Sequence, residues 1–446
     1  MKKRLEAALL CTLGFAAVCL AGCGSSAAPG PGQQPTPNPS PVTPIQHIVL
    51  IIQENRTPDD LFQGLPGADI ASSGRNSKGR IIKLAPLSLK APVGFGHSHA
   101  DFVFAYDHGH MDGFDLESES CGDPPCPDNG EYAYVPRSEV GPYFSMAEQY
   151  TFADHMFQTN QGPSFPAHQY LIAGTSQPAV GSDLLAAENP ETPDHATIGG
   201  CDAPAGTLVK LIDPAGDENS SMFPCFEHPT LIDLLDAHGV SWRYYAPSTS
   251  SIWTGPNSIR HLRFGRDWRD ISIPETNVLN DIAAGQLRDV SWVIPDALTS
   301  DHPQSTDGSG PSWVASVVNA IGQSQYWNDT AIFVLWDDWG GFYDHVRPAN
   351  IFDSYELGFR VPLIVVSPYA KPAHISTVDH EFGSILRYIE EDYNLGSLGY
   401  TDERSDDLSD CFDYLQTPLK FHKIQAPLDR AYFLRPGAVH GPPDTE

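Results

Sequence analysis

The sequence predicts an α/β domain with a doubly wound, mostly parallel sheet held between helical layers. Three observations carry that expectation. Several short runs are almost wholly apolar and rich in strand formers, without the alternation of a half-exposed strand, so they read as strands covered on both faces. These runs stop abruptly in acids, amides, histidines or glycines, which is how open α/β sheets present a site at the carboxyl ends of their strands. Helical patterns stand between the runs, and 446 residues with 41% hydrophobic content suffice for one large core.

The chain begins with Lys2, Lys3 and Arg4, an apolar stretch over 7–21, and Leu20-Ala21-Gly22-Cys23, which resembles a bacterial lipobox. Residues 1–22 therefore read as a leader and Cys23 as a lipid carrier. The expected location is the cell envelope, outer membrane or periplasm-facing if the cell is Gram-negative, with membrane contact through that lipid and plain secretion as the alternative. Residues 23–44, rich in Pro, Gly and Ser, form a tether without apolar periodicity. One catalytic-sized domain is expected over 45–395, with a loop-rich insertion around 180–225. Residues 396–446 read as the edge and tail of the same domain.

The first strand is Gln46–Gln53, QHIVLIIQ, running straight into Glu54-Asn55-Arg56. Residues 94–117 are polar and hold His97, His99, His108 and His110, candidates for metal ligation or, for His97, contact with a substrate oxyanion. A helix over 143–149 and a strand over Thr151–His155 follow. Ser164 stands after a Gly-Pro turn at a helical start that runs toward Ile172. Its hydroxyl suits either a helix cap or a nucleophile seated by helix-terminal N–H groups. No G-x-S-x-G elbow surrounds it, which disfavours a lipase-type triad. Beyond the insertion come a helix at Thr230–His238, a strand at Val240–Tyr245, and a strand at Val290–Ile294 that leads to Asp301-His302-Pro303. The aromatic residues Trp242, Tyr244, Tyr245, Trp253 and Trp268 suit either core packing or a recognition cleft. A helix over Pro311–Ile321 precedes the most informative stretch, AIFVLWDDWGGFYDHV (331–346), a strand delivering Asp337 and Asp338. Val361–Val366 is a further strand, and Glu381–Glu390 a helix.

Composition narrows function. The net charge of −30 argues against a nucleic-acid partner and against an anionic membrane face. Beyond the leader and Cys23 five cysteines remain, consistent with an oxidising compartment; Cys121 with Cys126 and Cys201 with Cys225 are the expected disulfides, and Cys411 the odd one out.

Taken together, ENRTPDDLF (54–62), HMDGF (110–114), GPSFPAHQYLIAG (162–174), DHP (301–303), WDDWGGFYDHV (336–346), FRVPLIVVSPYA (359–370) and HEFGSILRYIE (380–390) resemble the bacterial phosphoesterase family of acid phosphatases and phospholipases C, within the alkaline-phosphatase-like fold. That resemblance implies a divalent metal ion, of open identity, on Glu54, Asn55, Asp337 and Asp338. It implies Ser164 as the phosphoryl-accepting nucleophile, with His97 and His302 contacting phosphate or assisting the leaving group. The implied substrate is a small phosphoester or a phospholipid. A phosphomonoesterase is the favoured expectation, with phospholipase C or a noncatalytic surface binding protein as alternatives. The chain departs from the family pattern at Ala167, where asparagine is common, and at Asp338-Trp339, where Glu-His is common. The C-x-P-x-R signal of a formylglycine sulfatase is missing.

Overall fold

The computed structural model describes residues 41–121, 125–192, 198–348 and 354–437. The expected leader, Cys23 and the expected tether up to residue 40 lie outside the described residues. Among the described residues no helix is long and apolar enough to cross a membrane.

An eight-stranded sheet organises the chain. Numbering its strands alone, β1 is His47–Gln53, β2 Thr151–Ala153, β3 Trp242–Tyr245, β4 Ile271–Ser272, β5 Val290–Val293, β6 Thr330–Trp336, β7 Leu363–Val366 and β8 His374–Ser376. Their spatial order is β4-β3-β5-β1-β6-β7-β2-β8. All run the same way except β7, which is antiparallel to both neighbours. The apolar runs occupy the middle: every residue of β5, β6 and β7 is buried, as an interior strand covered on both faces requires.

The main helices are α1 His99–Tyr106, α2 Gly141–Gln149, α3 Ser164–Ala173, α4 Leu231–His238, α5 Asn277–Ala284, α6 Gly310–Gly322 and α7 Phe382–Tyr393. Helix α3 is buried over all ten residues and stops at Gly174, whose φ of 67° supplies the left-handed C-cap that glycine adopts without strain. Helix α1 was not expected in the polar 94–117 stretch. It starts from a capping box in which Ser98 and Asp101 satisfy each other's backbone N–H groups.

The insertion is not only loop: Leu185–Ala186, Val209–Ile212 and Ser220–Met222 form a three-stranded antiparallel sheet. Of the two readings of the aromatic residues of 242–268, core packing describes Trp242, Tyr244, Tyr245 and Trp253, which are buried, while half-buried Trp268 lies under the Arg263 guanidinium. Both expected disulfides are present, Cys121–Cys126 and Cys201–Cys225, and Cys411 is a free, buried thiol. The segment after 396 packs on the sheet's helical cover: Trp327 Nε1 donates to the Leu419 carbonyl at 2.8 Å, and the Phe421 ring lies tilted against Trp327 with centroids 5.0 Å apart.

Candidate active site

Strand register builds the site. Strands β1 and β6 pair in parallel with Gln53 opposite Trp336, so the residues that follow, Glu54-Asn55 and Asp337-Asp338, emerge side by side. The Asp337 N–H donates to the Gln53 carbonyl at 3.1 Å, extending the ladder by one residue. On the other flank of β1, the Glu54 N–H donates to the Ser300 carbonyl at 2.8 Å, which draws in the loop holding His302. Beyond β6 the backbone turns sharply. Gly340 has a φ of 62°, and a Cβ there would collide with the Asn55 backbone, so only glycine fits. Asn55 itself sits at φ 62°, a left-handed conformation that asparagine tolerates better than most residues.

Asp337 Oδ1 accepts two backbone N–H groups, from Asn55 at 3.1 Å and Asp338 at 2.8 Å. Asp338 Oδ1 accepts the Gly340 N–H at 2.8 Å. Helix α3 brings Ser164 against these acids. The Ser164 hydroxyl lies 3.1 Å from Asp338 Oδ2 and 3.3 Å from Glu54 Oε2, and the Asn55 amide reaches within 3.5 Å of it and 3.2 Å of Asp338 Oδ2. Ser164 is the first helical residue and makes no cap; Pro163 holds the cap position. The neighbouring Phe165 N–H is taken by the Asn189 side chain of the insertion at 2.9 Å, so this amide is not open to a phosphoryl oxygen in the way sequence reasoning expected of the helix terminus.

The two candidate histidines also stand here. His97 Nδ1 donates to the Phe95 carbonyl at 3.0 Å, and Nε2 lies 3.1 Å from the Asn55 amide nitrogen. His302 Nδ1 donates to the Pro303 carbonyl at 2.6 Å, and its ring lies 6.2 Å from that of His97. Trp339 packs edge-on against His97 and Trp253 tilts against His302, each with centroids 6.0 Å apart. Tyr143 of α2 donates to Asp301 at 2.6 Å, holding the residue before His302; burial pushes the Asp301 carboxyl up to about 7.

All seven sequence candidates, Glu54, Asn55, His97, Ser164, His302, Asp337 and Asp338, thus lie in one buried cluster, none more than 4% exposed. The other histidines of the 94–117 stretch do not join it. His99 bonds to Glu218 at 2.7 Å, and His108 and His110 are exposed. One residue was missed. His168, one turn along α3 from Ser164, is fully buried with Nε2 3.1 Å from Glu54 Oε1 and 3.8 Å from Asp337 Oδ2. Its only sequence signal was the i, i+4 spacing from Ser164, which places both on one helix face.

Three carboxylates share this volume; burial first, and then the charge of Asp337, push the Asp338 carboxyl up to about 8. Asp337 Oδ2 and Asn55 Oδ1 are buried oxygens with no hydrogen-bond partner. The ligand atoms of Glu54, His168 and Asp337 lie within 4.8 Å of one another, a spacing that a single ion can span. A second acidic group, Asp59, Asp344 and His345, is already charge-balanced. Arg360, fully buried, grips Asp344 with two bonds of 2.8 and 2.9 Å, and His345 bonds to Asp59 at 2.8 Å.

The strand-end cluster brings serine, carboxylates and histidines together on a mostly parallel sheet, and comparison with known proteins places the chain in a family. The family model of the Phosphoesterase family matches residues 45–396, and the chain belongs to that family. Among curated relatives, it is 22% identical to a non-hemolytic phospholipase C of Pseudomonas aeruginosa over 79% of this chain and 54% of that one. It is 24% identical to phospholipase C A of Mycobacterium tuberculosis over 76% of this chain and 71% of that one. The chain spans about half the length of the first of these. Among solved structures, a protein of the alkaline phosphatase superfamily from Vibrio parahaemolyticus matches with TM-score 0.37 and 11% identity, over 83% of this chain and 74% of that one.

Proposed function

We propose that the chain is a metal-dependent phosphoester hydrolase that passes the phosphoryl group through Ser164, with small phosphomonoesters as its substrates. The observation that carries this is the placement of one buried hydroxyl at the start of α3 within 3.3 Å of two carboxylates at the ends of β1 and β6. When bound, a divalent ion supplies charge for the phosphoryl oxygens and lowers the pKa of the serine hydroxyl. Glu54, Asn55, Asp337 and Asp338 would hold it, the two unpartnered oxygens of Asn55 and Asp337 fitting that role.

The chain's own residues do the rest. Ser164 Oγ attacks phosphorus as the ester oxygen leaves, and its proton passes to Asp338 Oδ2 or Glu54 Oε2. Water then attacks the phosphoserine and returns the hydroxyl. Both His97 and His302 have Nδ1 fixed on a backbone carbonyl, so each exchanges protons through Nε2; one protonates the leaving oxygen and the other orients the attacking water. The Asn55 amide, directed at both Ser164 and Asp338, aims the nucleophile.

The buried site favours a substrate with a single organic group, and the net charge of −30 opposes approach to an anionic bilayer. A second reading, phospholipase C activity, is favoured by the curated relatives that carry that name. The test compares kcat/KM on p-nitrophenyl phosphate and on short-chain phosphatidylcholine, with metal-free and metal-restored protein, and traps the phosphoenzyme by acid quench. Label on Ser164 and a preference for the monoester are expected. A tenfold preference for phosphocholine release, about 1.4 kcal/mol in the transition state, moves the assignment to the second reading. Label on another residue rejects Ser164.

A further inference from the structure

The geometry points to His168 as a metal ligand, so that the centre carries a nitrogen donor beside its carboxylates. The inference rests on the metal-dependent reading above. The Glu54 carboxylate faces two ways: Oε2 receives the Ser164 hydroxyl, and Oε1 lies 3.1 Å from His168 Nε2. The same nitrogen lies 3.8 Å from Asp337 Oδ2, an oxygen with no hydrogen-bond partner. Donors bound to one ion at roughly 2.0–2.2 Å stand about 3–3.5 Å apart, and the His168 nitrogen, at 3.1 and 3.8 Å from the two oxygens, is within a few tenths of an ångström of that spacing to each. The nearby arginines are engaged elsewhere: Arg56 bonds to Asp60 and the Asp301 carbonyl, and Arg360 to Asp344. The imidazole is wholly buried, on the same helix as the nucleophile, so a single rigid element delivers both to the centre.

A nitrogen donor changes which ion the site prefers. Magnesium and calcium take oxygen ligands, whereas imidazole suits zinc, iron, cobalt and copper. The proposal therefore assigns the site a borderline transition ion over an alkaline-earth one.

The test loads metal-free, full-length protein with Cu²⁺ and records pulsed EPR, in which a directly bound imidazole modulates the electron spin echo through its remote nitrogen. Expected are one ion per chain, nitrogen modulation in the wild type, its loss in His168→Gln, and its survival in the double variant His97→Gln/His302→Gln. Competition binding in the same proteins reads selectivity: zinc affinity falls more than 100-fold in His168→Gln, while magnesium affinity changes less than threefold. One bound ion without nitrogen modulation overturns the inference and leaves the metal reading standing, as does modulation that persists in His168→Gln. Failure to bind any divalent ion rejects both. Should His168→Gln not fold, the double variant decides: retained modulation supports His168, lost modulation overturns it.

Discussion

Asp337 shows how one side chain divides its labour. Oδ1 is committed to two backbone N–H groups, which shape the turn after β6, and Oδ2 faces the cluster with no partner. Asparagine at this position keeps an oxygen for the two N–H groups but replaces the anionic Oδ2 with an amide. Asp337→Asn is therefore expected to fold normally, with a melting temperature near that of the wild type. Its divalent-ion affinity should fall beyond the roughly 10–100-fold that losing a hydrogen bond to a ligand costs. Calorimetric titration of the metal-free variant measures this, and unchanged affinity would remove Asp337 from the ligand set.

At the scale of elements, the segment 341–348 after β6 does more than close a turn. It carries Asp344 to Arg360 and His345 to Asp59 and Asp69, tying this loop to the short helix Pro58–Leu61. Burial alone would lower the His345 pKa; the hydrogen bond to Asp59 and the charges of Asp59 and Asp344 outweigh it and raise the ring to about 9. Arg360 opposes this rise, and Asp69 bonds to the outer nitrogen. A folded-state value above the unfolded one of about 6.5 stabilises the protein fully below that pH, and the contribution disappears as pH rises through about 9. The melting-temperature gap between wild type and His345→Asn should therefore narrow steadily from about pH 6 to about pH 10. A gap independent of pH would show that the imidazole contributes packing alone.

Across the whole molecule, the buried ion pair at Arg360 links segments far apart in sequence. Its guanidinium also donates to the backbone carbonyls of Asp69 and Asp154, at 3.0 and 2.7 Å. Arg360→Met strands Asp344 without its cation, and a loss of about 3–5 kcal/mol is expected from urea unfolding midpoints. The double change Arg360→Met/Asp344→Leu should recover part of that loss; recovery of none would place the effect in the backbone contacts. Asp59, Asp344 and Arg360 fall within three of the quoted motifs, but the sequence did not show them as one network, because with Asp69 they follow no common local pattern. What was legible came from local chemistry. Apolar runs marked β1, β5, β6 and β7, and the polar groups ending β1 and β6 marked four of the cluster residues. The reversal of β7 was not legible, since an apolar run does not encode direction. Helix α1 was hidden by its polar composition and by a capping box that uses aspartate rather than the commoner glutamate. His168 was hidden because a lone histidine inside a wholly buried helix breaks no periodicity.

The parallel pairing of β1 with β6 carries a kinetic consequence. Asn55 and Asp337 meet across a sequence separation of 282 residues. During synthesis, one half of the oxygen cluster leaves the ribosome long before the other half exists. Contacts of such separation form late, because the cost of closing the loop precedes the reward of pairing. On the metal-dependent reading, a cation would therefore bind only after the centre of the sheet has closed, and would not template the early steps of folding.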